Sequence, residues 1–305
     1  MGTGQNEYQN PCSMIKRIAS YFSLIKFSHT IFAMPFAFIG FFLGIKNNGH
    51  QHSVFNLYVL FILVIACMVF ARSAAMAFNR YLDRRFDALN PRTATREIPK
   101  GVIRPSQALF FTVVMALLFI VTTRLINPLC FMLSPLALTV ILGYSYTKRF
   151  TPLCHIILGI GLSLAPIGAY LAVAGQFSLV PVLFSLAVIC WVSGFDIIYA
   201  LQDVDFDRSQ QLYSIPSWVG KSRALLVSRL LHVASFLLIA AAGWSGEFGI
   251  IFWVGALLYG SLLIYQQFLV SPYDLSRVNL AFMTVNGMAS VIFSFFVISD
   301  LFIHR

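Results

Sequence analysis

Nine mostly apolar stretches follow one another along the chain, each long enough for a membrane helix. They lie near 18–45, 55–78, 107–126, 128–147, 154–175, 178–201, 224–244, 248–269 and 278–302. At 1.5 Å of rise per residue, crossing the hydrocarbon core takes about 20 such residues. The pattern therefore predicts an all-α integral membrane protein with nine transmembrane helices. Little more than Asn127 and Pro128 separates the third and fourth spans, so a tight helical hairpin is expected there. The first run is too long for a signal-peptide core and no small-residue cleavage site follows it, so it reads as a retained helix. Residues 1–17 form a polar N-terminal tail, and 18–302 read as a single membrane domain without a linker. The only sizeable polar segments follow spans 2 and 6.

Composition agrees. Of the 305 residues, 59% are apolar and 10% charged, against roughly 25% charged in soluble domains. This excludes a soluble enzyme, a disordered chain and a nucleic-acid-binding domain, and it makes the lipid bilayer the chain's first partner. The net charge of +10 sits between the apolar runs. Five cysteines in no CxxC spacing form neither a disulfide framework nor a zinc site. Lys and Arg collect in the N-terminal tail and in the loops after even-numbered spans, fifteen in all, whereas the other side carries Lys46, Arg305 and, near the membrane edge, Arg124. By the positive-inside rule, the N-terminus and the long loops are cytoplasmic and the C-terminus is not.

Six of the 11 carboxylates fall in two short windows at the cytoplasmic ends of spans 2 and 6. Asn79, Asp83 and Asp87 are spaced i, i+4, i+8, one face of a helix. Asp203 and Asp207 repeat the i, i+4 step, and Asp196, seven residues before Asp203, is expected on the same face; Asp205 falls off it and reads as solvated. Like charges at i, i+4 repel, so two such faces need a cation between them. Oxygen-only ligands point to a hard ion, and Mg²⁺ takes a few carboxylates plus substrate phosphates. Two facing Asp clusters would hold Mg²⁺ across a diphosphate. Solvated acidic helix ends neutralised by nearby Arg are the plainer reading of either cluster alone. Basic residues complete an anion site: Arg72 within span 2, Lys148 and Arg149 at the end of span 4, and Arg84, Arg92, Arg96 and Arg208 in the two loops. Arg85, Lys100 and Arg104 read as positive-inside decoration.

These motifs resemble those of the UbiA-type intramembrane aromatic prenyltransferases. The first signature is Asn79-xxx-Asp83-xxx-Asp87 with the following Asn90-Pro91-Arg92-Thr93-Ala94-Thr95-Arg96. The second is Asp196-xx-Tyr199-Ala200-x-Gln202-Asp203-xxx-Asp207. Tyr144 through Lys148 is similar to the family's YxxxK segment, and Lys26 through Pro35, including His29, to the span-1 segment of the quinone-pathway branch. Arg80 departs from the pattern, standing where some members carry a second acid. Ser209-Gln210-Gln211 stand where the branch often shows Lys-Glu-Gly.

The resemblance implies nine helices around a central cavity in a bacterial inner membrane. It implies Mg²⁺-dependent transfer of a polyprenyl group from a polyprenyl diphosphate to an aromatic acid, 4-hydroxybenzoate or a dihydroxynaphthoate. Asn79, Asp83, Asp87, Asp203 and Asp207 are the expected metal ligands. Arg72, Arg92, Arg96, Tyr144, Lys148, Arg149 and Tyr199 are expected around substrate. Asp196 or a diphosphate oxygen takes the ring proton. His29, close to Lys26, either orients the aromatic acid or bridges helices, and His155 is weighed the same way with less functional weight. Other readings are a cation-coupled transporter or flippase, haem- or chlorophyll-directed prenyl transfer, and a diphosphate hydrolase or lyase.

Overall fold

The structure, a computed structural model, describes Leu24, residues 33–48 and residues 53–303. All regular structure among these residues is helical. The helices are α1 (Met34–Asn48), α2 (Val54–Leu89), α3 (Pro105–Ile126), α4 (Pro128–Thr147), α5 (Cys154–Ala174), α6 (Leu179–Ala200), the short α7 (Val204–Ser209) and α8 (Ile215–Val219), α9 (Lys221–Ser245), α10 (Ile250–Phe268) and α11 (Asn286–Ile303). A 3₁₀ turn, Leu201–Asp203, joins α6 to α7, and a π-helical turn, Leu280–Val285, leads into α11. Among the described residues eight segments are long and apolar enough to cross a membrane: α2 to α5, α6 with α7, α9, α10, and the π-turn with α11. The expected first span is represented by Leu24 and the 15 residues of α1. Most of its first half lies outside the described residues, so the count of nine is not established.

Local chemistry accounts for the helix ends. Ser53 caps α2, its hydroxyl accepting from the Asn56 amide at 3.2 Å. That helix then runs 36 residues, about 54 Å. This exceeds the roughly 30 Å hydrocarbon core, so its last turns carry the first acidic motif clear of the apolar layer. The expected hairpin is made by Asn127. Its backbone closes α3 on Thr123, its side chain accepts from the Cys130 amide at 2.8 Å to open α4, and Pro128 occupies the first helical position, where no amide is needed. The same side chain donates to the Leu171 carbonyl at 2.8 Å, fixing the hairpin to α5. Gly175, with φ 64°, ends α5 in a left-handed cap that a side chain would strain.

α6 is the central helix. Phe184, Trp191, Ile197 and Ile198 are fully enclosed; Phe36, Tyr170, Phe252, Tyr259 and Phe293 close around the first two, and Leu201, Ile215 and Leu225 around the isoleucines. Gly159 lets α5 approach α6: a Cβ there would lie 2.7 Å from the Ile189 carbonyl oxygen. The outward faces are apolar too. Phe110, Val113, Leu117 and Val121 on α3, and Leu226, Leu230, Val233 and Leu237 on α9, are exposed. Side chains of this kind facing outward over whole helices need lipid as solvent, and the chain is an integral membrane protein.

Candidate active site

One cavity of about 760 Å³ opens inside this bundle. Its polar end carries Arg72, Asn79, Arg80, Asp83, Asp87, Asn90, Arg92, Arg96, Tyr144, Lys148, Arg149, His155, Asp196, Tyr199 and Asp203. Away from that end the walls are apolar: Met68 and Ala71 on α2, Ile126 at the end of α3, Leu133 and Val140 on α4, Leu162 and Leu171 on α5, and Val192 on α6. From His155 to Leu171 the cavity follows α5 for 16 residues, about 24 Å, most of the thickness of a bilayer core.

The first motif is one continuous helical face. Asn79 donates to Asp83 at 3.0 Å across a single turn, as the i, i+4 spacing requires. Arg149, just past the end of α4, reaches the other Asp83 oxygen at 3.5 Å and the Leu82 carbonyl at 2.9 Å. Arg96, from the loop, engages Asp87 at 2.5 Å. The second Asp87 oxygen is buried without a partner.

The second motif is built differently. The expectation of one helical face through Asp196, Asp203 and Asp207 does not hold. The tightening into a 3₁₀ turn at Leu201–Asp203 rotates α7 relative to α6. Asp196 and Asp203 reach the cavity, but Asp207 does not line it. Asp203 accepts a bidentate fork from Arg92, at 2.5 and 3.1 Å, and a third bond from Asn90 at 3.1 Å. Arg92 also donates to the Tyr199 hydroxyl at 2.8 Å. Asp207 is fully buried, 2.8 Å from the Lys148 ammonium and 3.0 Å from the Ser214 hydroxyl that donates to it. Burial alone would lower the Lys148 pKa, but the Asp207 carboxylate outweighs it and holds the ammonium above the ordinary lysine range. The Tyr213 amide donates to the Lys148 carbonyl at 2.7 Å, so this pair also anchors the loop after α7.

Asp205 is exposed, as expected, and so are Arg85, Lys100 and Arg104. Arg208 bonds the Ser217 carbonyl at 3.0 Å, while Arg84 turns back over Tyr81, and neither reaches the cavity. Lys26 and His29 lie outside the described residues. Three contacts escape a reading of the motifs. His155 donates through Nδ1 to Asp196 at 2.7 Å while Nε2 accepts from the Ile215 amide at 3.3 Å. Asn90 and Ser214 complete the two carboxylates of the second motif. Asn90 stands in the first signature and Ser214 after the second, but only the tertiary pairing shows whom they serve.

The site has anion-binding capacity left over. Arg72 Nε, Arg80 Nε and Arg149 Nε, together with Ser145 Oγ, are buried without hydrogen-bond partners around this cavity. Arg80 is only 4% exposed. Buried polar groups in a folded protein are normally paired, so several on one wall mark where a polar ligand belongs. Among the described residues no three His, Cys, Asp or Glu side chains converge on one point as a ready metal nest.

Residues 33–289 match the model of the UbiA prenyltransferase family. The chain belongs to that family. It is 32% identical over 234 residues to a 4-hydroxybenzoate octaprenyltransferase of Tolumonas auensis, covering 76% of this chain and 82% of that one. With the 4-hydroxybenzoate octaprenyltransferase of Aeromonas hydrophila it shares 30% over 246 residues, covering 81% and 85%. The apo structure of a UbiA homologue from Aeropyrum pernix K1 superposes with a TM-score of 0.79 at 34% identity, covering 89% of this chain and 98% of that one. A UbiA homologue from Archaeoglobus fulgidus, bound to DMAPP and Mg²⁺, superposes at 0.72 with 20% identity, over 93% and 99%, and shares the fold.

Proposed function

We propose that this UbiA-family member transfers a polyprenyl group from a polyprenyl diphosphate to the ring of an aromatic acid, 4-hydroxybenzoate or a dihydroxynaphthoate, in quinone synthesis. The observation that carries the reading is the cavity shared by the two acidic motifs. Carboxylates, cations and unsatisfied donors gather at one end, and apolar walls lead away from it in a cavity that runs about 24 Å along α5. A lipid tail with a diphosphate head has this polarity and this length scale.

The donor set fits Mg²⁺. Asn79, Asp83 and Asp87 offer only oxygens on one helical face, and one Asp87 oxygen has no partner. Asp203 faces them across the cavity. With so few carboxylates the diphosphate and water would supply the other ligands, which is usual for this ion. When bound, the metal offsets negative charge that grows on the departing diphosphate. Arg92, Arg96 and Arg149 bind the same anion, with Lys148 behind them on Asp207. Tyr144 and Tyr199 frame it. Arg72 lies seven residues before Asn79 on α2, about 10 Å away, and its unpartnered Nε supports a role in binding the carboxylate of the acceptor. Asp196, held by His155, borders the space between the two and is a candidate for taking the ring proton.

The fifteen Lys and Arg on one side support an active site facing the cytoplasm. A thiol placed at residue 98 in a cysteine-free background should react with an impermeant reagent only from that side. The test of the reaction is purified protein in detergent with labelled polyprenyl diphosphate, Mg²⁺ and each candidate acid. A prenylated aromatic product is expected. Inorganic diphosphate without one would turn the reading to a lyase or hydrolase, and neither product would turn it to transport.

A further inference from the structure

The turn before α11 is unusual for a membrane helix. Leu280–Val285 is wound as a π-helix. Such turns are rare and gather at functional sites, because the widened turn leaves carbonyls without their helical donors and shifts the side chains that follow. Here the carbonyls are answered by side chains. Asn286 donates to those of Ala281 and Phe282, at 3.2 and 3.0 Å, and Gln266 donates to Ala281 at 2.9 Å. Trp191 on α6 in turn donates to the Asn286 side-chain oxygen at 3.0 Å. All three residues are fully enclosed, where an unsatisfied polar group is costly; of their side-chain polar atoms the Gln266 oxygen is left without a partner. The arrangement holds one feature in place: the Phe282 ring, which lines the cavity.

Phe282 stacks on Tyr199 with 4.3 Å between ring centroids and 30° between planes, and meets the edge of Phe195 at 5.5 Å. Tyr199 lies one turn before Asp203, and its hydroxyl accepts from Arg92, the residue that grips Asp203. The aromatic slab thus stands where the polar end of the cavity gives way to the apolar channel. If a polyprenyl diphosphate is the substrate, as proposed above, its first carbon lies at this junction.

We propose that the π-turn exists to set Phe282 against Tyr199 as an aromatic shield over the carbon–oxygen bond that breaks, and that this shield decides whether the allylic group passes to the acceptor or to water. As the bond breaks, its electron pair leaves with the diphosphate oxygen and positive charge spreads over the allylic carbons. An aromatic face stabilises such charge, and the slab closes one side to water. In transfer, a ring carbon supplies the new pair and then gives up its proton. In leakage, a water oxygen supplies the pair and loses a proton to solvent, leaving prenyl alcohol. Phe282 is the residue in contact with the reacting carbons. Asn286 is a positioning residue.

The readout is the ratio of labelled prenyl alcohol to prenylated acceptor in the full-length protein, which does not depend on how much protein is folded. Phe282→Leu removes the π face and keeps apolar bulk; it should raise the ratio about tenfold and lower total turnover. Phe282→Tyr should restore the native ratio. Asn286→Leu should move the ratio the same way as Phe282→Leu, by a smaller factor, with all catalytic side chains intact. If Phe282→Leu does not fold, Phe282→Met is read on the same ratio. Slower turnover at an unchanged ratio in the Phe282 variants would overturn the shield. An unchanged ratio in Asn286→Leu would overturn the role of the π-turn. If the unaltered protein forms neither diphosphate nor prenylated product, it is the function proposed above that fails.

Discussion

The two acidic motifs have the same spacing in sequence and opposite characters in space. Asn79, Asp83 and Asp87 lie on one unbroken helix that lines the cavity, and beyond the bonds from Asn79 to Asp83 and from Arg96 to Asp87 their carboxylates keep room for a ligand. Asp83 meets Arg149 only at 3.5 Å, and one Asp87 oxygen has no partner. The second motif is broken by a 3₁₀ turn, and its carboxylates are bound up by protein groups: Asp203 takes three hydrogen bonds, and Asp207 is enclosed against the Lys148 ammonium and the Ser214 hydroxyl, although its oxygen facing Lys148 makes no directed hydrogen bond. An identical Asp-xxx-Asp pattern thus yields a face with coordination capacity to spare in one place and a scaffold in the other. Helical periodicity places side chains at the same angle only while the helix remains α, and three residues wound more tightly are enough to turn Asp207 away from its partner.

The largest effect expected from this contrast is on the open face. Chelation with EDTA should stop turnover, and Asp83→Ala should lower kcat by about 10²–10³-fold with little change in Tm. Full activity in EDTA would sink the Mg²⁺ assignment. Next comes the fork on Asp203. Arg92→Lys keeps the charge but cannot hold two oxygens in one plane, so kcat should fall by about tenfold, and a native rate would show that Asp203 needs no orientation. Asp207→Asn should invert the balance. The loss of a buried charge pair with half-exposed Lys148 should lower Tm by about 3–6 °C, while kcat falls far less than for Asp83→Ala. Equal kcat losses for the two variants with an unchanged Tm would return Asp207 to the metal site. The smallest effect is Ser214→Ala, which removes one neutral donor from Asp207 and should cost about 1 kcal/mol of stability, read as a small shift in the unfolding midpoint without loss of turnover.

Much of this was legible in the sequence because it depends on local patterns. The lengths of the apolar runs define spans 2 to 9 to within a few residues, except that α2 continues through its motif to Leu89. Asn127 and Pro128 forecast the hairpin because capping is decided within four residues. The spacing of Asn79, Asp83 and Asp87 forecast their common face, and the bond between the first two follows from it. Asp205 was rightly read as solvated.

What the sequence could not supply is long-range pairing. Nothing in the chain order joins His155 to Asp196, Asn90 to Asp203 or Lys148 to Asp207; the first pair meets where α5 packs on α6, and the others bring the end of α2 and the end of α4 to the segment that follows α6. Nor does periodicity reveal where a helix tightens or widens. The 3₁₀ turn at Asp203 and the π-turn at Phe282 arise where tertiary contacts outweigh the small preference of one helical winding over another. The sequence by itself determined a membrane-embedded helical chain with two acidic helix ends, since solvent partitioning and helical period act residue by residue. Only the tertiary structure decided which carboxylates face the cavity, which are enclosed as scaffold, and that an aromatic from the turn before the last helix lines that cavity beside Tyr199.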